Sequence, residues 1–484
     1  MSNIRTRFAP SPTGFLHIGG VRTTLYAYLL ARQNKGDLIL RVEDTDQKRT
    51  VEGSVEHIIS TFKLLGLDFD EGPAHGGEFG PYLQSERKEK GIYQTYVKQL
   101  VDNGHAYHCF CTSERLEKVR KEQQTKKLPP KYDRHCLGLS EEEVKEKLDK
   151  GLSFVIRMKV PEGETVFTDA VYGTITTKNE VIDDQVLLKS DGFPTYHLAV
   201  VVDDHLMEIT HVIRGNEWVP STAKHIILYN AFGWEAPQHV HLPPILGPDG
   251  KKKLSKRDGD VKAEDFIAKG YLPEALLNFI ALLGWNPGND QEIMSMDEMI
   301  ESFSLDRIQK NGAQLDMVKL AWMNGQYIKN LSSKELTDLV EPEIKTTKYY
   351  TDDYNLEDVV SLFQERLETI TEIKERAEFL YILPKYNADI LVFKKSDKEK
   401  TITALEQALS LLGKLKISTA DSLREVFDAK REEIGLTRAE MFWPIRVAVS
   451  GNERSPDLFD IITILGRDES LARIHKALEK LSKM

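Results

Sequence analysis

Along the first hundred residues, short apolar runs alternate with stretches of helical period. The segment Ile4 to Phe8 (IRTRF) reads as a strand, Ile18 to Gln33 as an amphipathic helix, DLILRV (Asp37 to Val42) as a second strand, and Val51 to Leu65 as a second helix. That rhythm predicts a βαβ unit with a parallel sheet. A further helix is expected over Ser85 to Asn103, and the tract HAYHCFC (His105 to Cys111) then opens a charged, loop-rich region reaching about Lys178, which reads as an insertion. Strand-like runs return at Val186 to Ser190, Thr195 to Asp204 and Ile209 to Gly215, the middle one apolar enough to be buried on both faces. The sheet is expected to resume there. From Ala263 onward the period is helical, with Pro273 and Glu274 as a start signal and repeated i, i+3, i+4 apolar positions. From about Gln326 to Met484 a helical bundle or superhelix is the plain expectation.

Composition narrows the class. With 484 residues, 40% apolar and 29% charged, the chain has the balance of a folded globular protein rather than a disordered one. Its 65 basic and 76 acidic residues give a net charge of −11, so any nucleic-acid binding must come from local basic surfaces. The start carries no basic region followed by an apolar one, and no stretch approaches the roughly 18 apolar residues of a membrane span. A cytoplasmic protein without membrane attachment is expected. Three cysteines, Cys109, Cys111 and Cys136, fall within 28 residues, too few and too odd in number for a disulfide framework and placed closely enough for a shared role.

Two motifs carry chemistry. FAPSPTGFLHIGG (Phe8 to Gly20) runs from a strand into a helix, with Gly19 and Gly20 allowing a ligand close to the helix N-terminus, where unpaired N–H groups favour anions. His17 stands at that N-terminus, within reach of a phosphate. KKKLSKR (Lys251 to Arg257) has five basic residues in seven, between the Gly247-Pro248 and Asp258-Gly259 turns, and suits a loop that brings ammonium groups to a polyphosphate. The pair resembles the HIGH and KMSKS signatures of class I aminoacyl-tRNA synthetases. LILRVEDTD, YHLAVVVDDHLMEITHVIRG, GYLPEALLNFIALLGW and MFWPIRVAVSG extend the resemblance to bacterial-type glutamyl-tRNA synthetases over essentially the whole chain.

The resemblance implies an α/β, Rossmann-type class I catalytic domain with an insertion, followed by an all-helical anticodon-binding region. The implied boundaries are 1–105 and 182–250 for the two catalytic halves, 106–181 for an acceptor-end binding insertion, 251–325 for the KMSKS-type loop and stem-contact region, and 326–484 for the anticodon-binding helices. The implied reaction activates L-glutamate with ATP and Mg²⁺ to glutamyl-adenylate and transfers it to the terminal adenosine of glutamate tRNA, glutamine tRNA being left open as a second acceptor. His17, Lys253 and Lys256 would be the catalytic residues, and Gly19, Gly20 and Glu217 would join them around ATP. Such chemistry needs cations at an in-line phosphoryl transition state more than it needs a nucleophile. Arg7, Tyr196 and Arg214 would bind the substrate carboxylates, Glu43 its ammonium, and Ala9 and Ser11 would shape the floor. Candidate RNA-contacting cations are Lys118, Arg120, Lys121, Lys126, Lys127 and Arg446, and a monomer is expected.

The sequence departs from the family pattern in two places: Gly20 stands where the signature has a second histidine, and Val200 where some relatives carry asparagine. The cysteines resemble a zinc-binding insertion found in some members, a soft-ion site that would staple a segment with little core. Tyr132 fits the spacing of the fourth ligand in some relatives, with His135 and His108 as competitors, while the position two after the last cysteine is Gly138. The rivals to a tRNA-charging enzyme are a noncatalytic RNA-binding paralogue and a nucleotidyltransferase acting on a small molecule.

Overall fold

The computed structural model describes residues 3–14, 16–254, 262–414 and 419–484. Strand β1 (Arg5–Phe8), helix α1 (Ile18–Gln33) and strand β2 (Asp37–Leu40) form the expected βαβ unit, with β1 and β2 parallel from Arg5 opposite Asp37 to Phe8 opposite Leu40. α1 buries Ile18, Val21, Leu25 and Leu29, positions three or four residues apart and hence on one side of the helix. Helix α2 (Ser54–Leu64) follows. The single helix expected from Ser85 to Asn103 is two, α3 (Gln84–Glu89) and α4 (Ile92–Asp102), because Gly91 takes a left-handed φ of 73° that ends one and starts the other.

The region read as loop-rich contains paired strands. β3 (Ala106–Cys109), helices α5 (Ser113–Thr125) and α6 (Glu141–Asp149), and strands β4 (Val155–Met158), β5 (Glu164–Asp169), β6 (Gly173–Lys178) and β7 (Val186–Leu188) succeed one another. β3, β4 and β7 make an antiparallel sheet, so the run at Val186 completes the inserted sheet and the parallel sheet resumes later. β5 and β6 form a hairpin whose end joins a different sheet, ordered β6-β5-β9-β8, once α7 (Tyr196–Leu206), β8 (His211–Gly215), α8 (Val219–Phe232) and β9 (Gln238–Leu242) are in place. β8 and β9 are parallel, and Thr210 N donates to Arg5 O at 2.9 Å, laying β8 alongside β1.

The apolar run from Thr195 to Asp204, read as a strand, is helix α7. Leu198 to Asp204 are all buried, so no polar stripe betrays the helical period, and three consecutive valines favour the strand reading. The two aspartates at its end show why the helix wins. On a strand they would point to opposite faces, whereas on α7 both meet arginines in one buried network.

The chain folds as two compact units, residues 1–266 with 276–317, and residues 267–275 with 318–484. In the first, Ile245–Leu246 and Ala313–Gln314 add a short parallel pair. The second is helical, as the period from Ala263 implies. Helices Lys398–Lys414, Ala420–Glu433, Arg438–Ser450 and Leu458–Ser482 surround a core that includes Leu405, Phe427, Ile445, Ile462 and Ile474. The last is broken at Gly466 (φ 73°), beyond which buried Arg473 donates to the carbonyls of Phe379, Leu380 and Val449. No helix among the described residues is long and apolar enough to cross a membrane.

Candidate active site and cysteine cluster

The C-terminal ends of β1, β8 and β9 and the N-terminus of α1 open onto a cavity of about 470 Å³. Ligands bind at such strand ends because backbone groups there are unpaired and loops can converge. Arg7, Ala9, Ser11, His17, Gly19, Gly20, Glu43, Tyr196, Arg214, Glu217 and Lys253 all line it, so every described residue assigned to ATP or glutamate comes to one place. Lys256 lies outside the described residues.

At the mouth, His17 has extended backbone (φ −92°, ψ 147°) and caps α1, its Nδ1 accepting from Gly19 N at 3.0 Å. That bond puts the proton of the neutral ring on Nε2. A Cβ at Gly20 would stand 3.0 Å from Leu16 Cδ1 and 3.5 Å from the Phe8 ring, so glycine there keeps α1 close on β1. Lys253 Nζ lies 3.3 Å from Glu217 Oε1, both about half exposed.

Deeper in, the charges interlock. Arg7 donates to both oxygens of Asp204 (3.1 and 3.3 Å), Arg41 pairs with Asp204 at 2.7 Å and with Glu43 at 3.0 Å, and Arg87 pairs with Asp203 at 2.7 Å. Against the burial that opposes it, Arg41 and Arg7 hold the Asp204 carboxyl below its usual range. Burial pushes Glu43 up despite the same two arginines.

Arg214 is different. Its Nε donates to His241 Nε2 at 3.1 Å, its NH1 to Tyr196 Oη at 3.1 Å and its NH2 to Thr222 Oγ1 at 2.8 Å. His225 Nδ1 lies 3.5 Å from both NH1 and NH2; all four partners are neutral, and among the described residues no carboxylate forms an ion pair with Arg214. Burial keeps the surrounding imidazoles uncharged: His241 is held below its usual value, His225 well below, and His197 is lowered to about 3. A guanidinium with no counter-ion in a cavity wall waits for an anion.

Sequence reading missed Arg41, Asp203 and Asp204, though an aspartate pair closing an unbroken apolar run was a signal that both are buried and partnered. His225 and His241 carried no such mark.

In the inserted segment, the Sγ atoms of Cys109, Cys111 and Cys136 lie within 4.8 Å of one another. The Tyr132 hydroxyl is 3.3 Å from the sulfurs of Cys109 and Cys111 and accepts from Cys136 N at 3.0 Å. The ring lies under the Arg157 guanidinium at 3.9 Å. His108, next to Cys109 on β3, packs on Phe110 and Phe154, and His135 is exposed. Of the competing fourth residues, Tyr132 is the one whose side chain touches the sulfurs. Lys118, Arg120, Lys121, Lys126 and Lys127 are exposed on α5 and just beyond it, whereas Arg446 is occupied by the carbonyls of Ser455 and Pro456.

Residues 3–322 match the family model for the catalytic domain of class I tRNA synthetases (E and Q), and residues 335–478 match that for an anticodon binding domain. A glutamate–tRNA ligase of Clostridium botulinum (strain Eklund 17B / Type B) is 48% identical over 484 residues, 99% of each chain, and one of Lachnoclostridium phytofermentans is 47% identical over 490 residues, 100% of this chain and 99% of that one. The crystal structure of a glutamate tRNA ligase from Elizabethkingia meningosepticum, in complex with its amino acid, superposes with a TM-score of 0.91 at 37% identity, over 99% of this chain and 100% of the other. The two family models and the full-length relatives together place the chain in the glutamate–tRNA ligase family of class I tRNA synthetases.

Proposed function

We propose that the protein activates L-glutamate with ATP and transfers the glutamyl group to the 3′-terminal adenosine of glutamate tRNA. The observation that carries the reading is Arg214, a buried cation with no counter-ion among the described residues, in the cavity that His17 and Gly19 border. The cavity wall and its backing hold five guanidinium groups (Arg7, Arg22, Arg41, Arg87 and Arg214) against three buried carboxylates (Glu43, Asp203 and Asp204), an excess of positive charge. L-Glutamate, with two carboxylates and one ammonium, brings one excess negative charge. In this reading Arg7, Tyr196 and Arg214 face the carboxylates and Glu43 the ammonium, over a floor shaped by Ala9 and Ser11.

In the first step a glutamate carboxylate oxygen attacks the α-phosphorus of ATP, the bond to the bridging oxygen breaks, and pyrophosphate leaves with that electron pair. The N-terminal turn of α1, entered at Gly19, and the Nε2–H edge of His17 hold the phosphates, Gly20 keeps that turn close on β1, and Glu217 borders the ATP side. Lys253 and Lys256 neutralise the departing pyrophosphate. Mg²⁺ held by the ATP phosphates would offset part of their charge. In the second step a ribose hydroxyl of the terminal adenosine attacks the adenylate carbonyl, the acyl C–O bond of the anhydride breaks, and AMP leaves with that electron pair, its phosphate oxygen taking up the hydroxyl proton. The exposed cations of α5 are candidate backbone contacts for that RNA end.

The test is glutamate-dependent ATP–pyrophosphate exchange with and without tRNA, followed by charging of glutamate and glutamine tRNAs. Exchange with glutamate and charging of glutamate tRNA support the reading, and the glutamine tRNA result decides discrimination; absence of exchange under every condition would sink it. Lys256→Ala is expected to slow adenylation by on the order of 10². A near wild-type rate would remove the second lysine motif from the chemistry.

The cysteine cluster is read as a zinc site. With Zn–S bonds of roughly 2.3 Å, thiolates of one tetrahedral ion sit about 3.8 Å apart, and sulfurs within 4.8 Å of one another, the pair Cys111 and Cys136 at 3.5 Å, suit that geometry. Cys109, Cys111 and Cys136 would hold the ion, with the Tyr132 oxygen as fourth ligand, and the ion would tie β3 to the loop before α6. Purified protein is expected to carry about one zinc per chain, lost in Cys136→Ser and retained in His135→Ala. Metal-free protein whose melting ignores chelators would rule the site out.

A further inference from the structure

Behind Arg214, the last contact in the chain of supports comes from the inserted segment. β5 ends at Asp169, which pairs with His239 on β9. Asp169 Oδ2 lies 2.6 Å from His241 Nδ1 and 3.1 Å from His241 N, while Oδ1 accepts from Val171 N and Tyr172 N at 3.0 and 2.9 Å. Both side chains are fully buried, and neither residue lines the cavity. An ionised carboxylate only accepts, so the ring hydrogen of His241 sits on Nδ1 and the Nε2 lone pair is left facing Arg214 Nε at 3.1 Å. The other tautomer would set two N–H donors against each other.

We propose that Asp169 and His241 are positioning residues for glutamate selection: through a neutral ring they fix the plane of the Arg214 guanidinium while leaving its charge for the substrate carboxylate. The proposal rests on the activity proposed above. A carboxylate bonded straight to Arg214, as Asp204 is to Arg7, would orient the fork equally well but neutralise it. The interposed imidazole separates the two tasks. It also gives strand β5, which the chain supplies from within the insertion, a part in amino-acid recognition.

The measurement is the KM for glutamate in ATP–pyrophosphate exchange, with the KM for ATP as internal control. In Asp169→Asn one amide oxygen must serve the N–H groups that two carboxylate oxygens served. With that oxygen kept by the Val171–Tyr172 turn, the NH₂ group faces His241 and inverts its tautomer. The glutamate KM is expected to rise about tenfold or more, with the ATP KM within about twofold of wild type. In Asp169→Asn/His241→Gln the glutamine oxygen accepts from Arg214 without any tautomer to set, and the glutamate KM is expected to return to within about threefold of wild type. If Asp169→Asn does not fold, His241→Leu against His241→Gln makes the same comparison, the leucine variant losing glutamate affinity and the glutamine variant keeping it. A wild-type glutamate KM in Asp169→Asn or His241→Leu overturns the proposal, as does a double variant no better than Asp169→Asn, which would reduce Asp169 to a support of its turn. Wild-type protein without glutamate-dependent exchange overturns the activity reading, and the proposal with it.

Discussion

Replacing Arg214 with glutamine is expected to lower kcat/KM for glutamate by about 10³ while leaving the folded protein close to its original stability. The two effects part company because of what surrounds the guanidinium. Its partners are a tyrosine hydroxyl, a threonine hydroxyl and two neutral imidazoles, so the folded state carries a buried charge to which no opposite charge is bonded among the described residues. Removing such a charge relieves a desolvation cost, which offsets the hydrogen bonds lost. With glutamate bound the balance reverses, since a desolvated carboxylate would then face a neutral amide. A buried site built to pair one group rejects its mismatch strongly, because the partners are left unpaired. Initial rates of exchange over a glutamate series, beside a urea denaturation curve, check both halves. A variant that keeps glutamate affinity would remove Arg214 from the pocket, and one that unfolds far more easily would mean that the charge has a counter-ion within the protein after all.

The contrast between Arg214 and Arg7 also shows what could be read from sequence and what could not. Motifs fixed the positions that line the cavity, because phosphate and carboxylate binding demand particular groups at a helix N-terminus and at strand ends. They could not report the pairing state of each arginine, which depends on Asp204 and His241, residues 197 and 27 positions away from Arg7 and Arg214 respectively. The same holds for the fold. The βαβ start was readable because α1 and its flanking strands each have one clear period. The helix over Tyr196 to Leu206 was not, since burial on all sides erased the period and left only the strand preference of its valines. In the inserted segment short strands with few buried positions, such as β6, gave too little alternation to stand out from the charged loops around them. The cysteines were conspicuous there because three thiols so close together are rare in any segment.

Asp203→Asn is expected to destabilise the unit that contains it by about 3–5 kcal/mol, the loss typical of breaking one partner from a buried ion pair. Asp203 is wholly buried at the end of α7. One oxygen is 2.7 Å from Arg87 Nε, and the other accepts from Gln84 Nε2 at 2.8 Å and Tyr93 Oη at 2.9 Å. Arg41 has Asp204 and Glu43 at close range, but among the described residues the only carboxylate paired with Arg87 is Asp203. Arg87 also donates to the carbonyls of Phe79 and Pro81, so its displacement loosens the turn that leads into α3. Asparagine preserves the shape but turns one accepting oxygen into a donor, so the loss combines the missing charge with hydrogen bonds to the Arg87 side or to Gln84 and Tyr93. Denaturant unfolding followed by tryptophan fluorescence reads the loss, with Asp102→Asn as a control, since the Lys98–Asp102 pair is exposed and worth little. The double variant Asp203→Leu/Arg87→Met should recover part of the stability, because an apolar pair removes both charges' desolvation costs while Gln84 Nε2, Tyr93 Oη and the carbonyls of Phe79 and Pro81 lose a partner. An Asp203→Asn midpoint equal to that of the control would mean that Arg87 finds its compensation from the carbonyls alone.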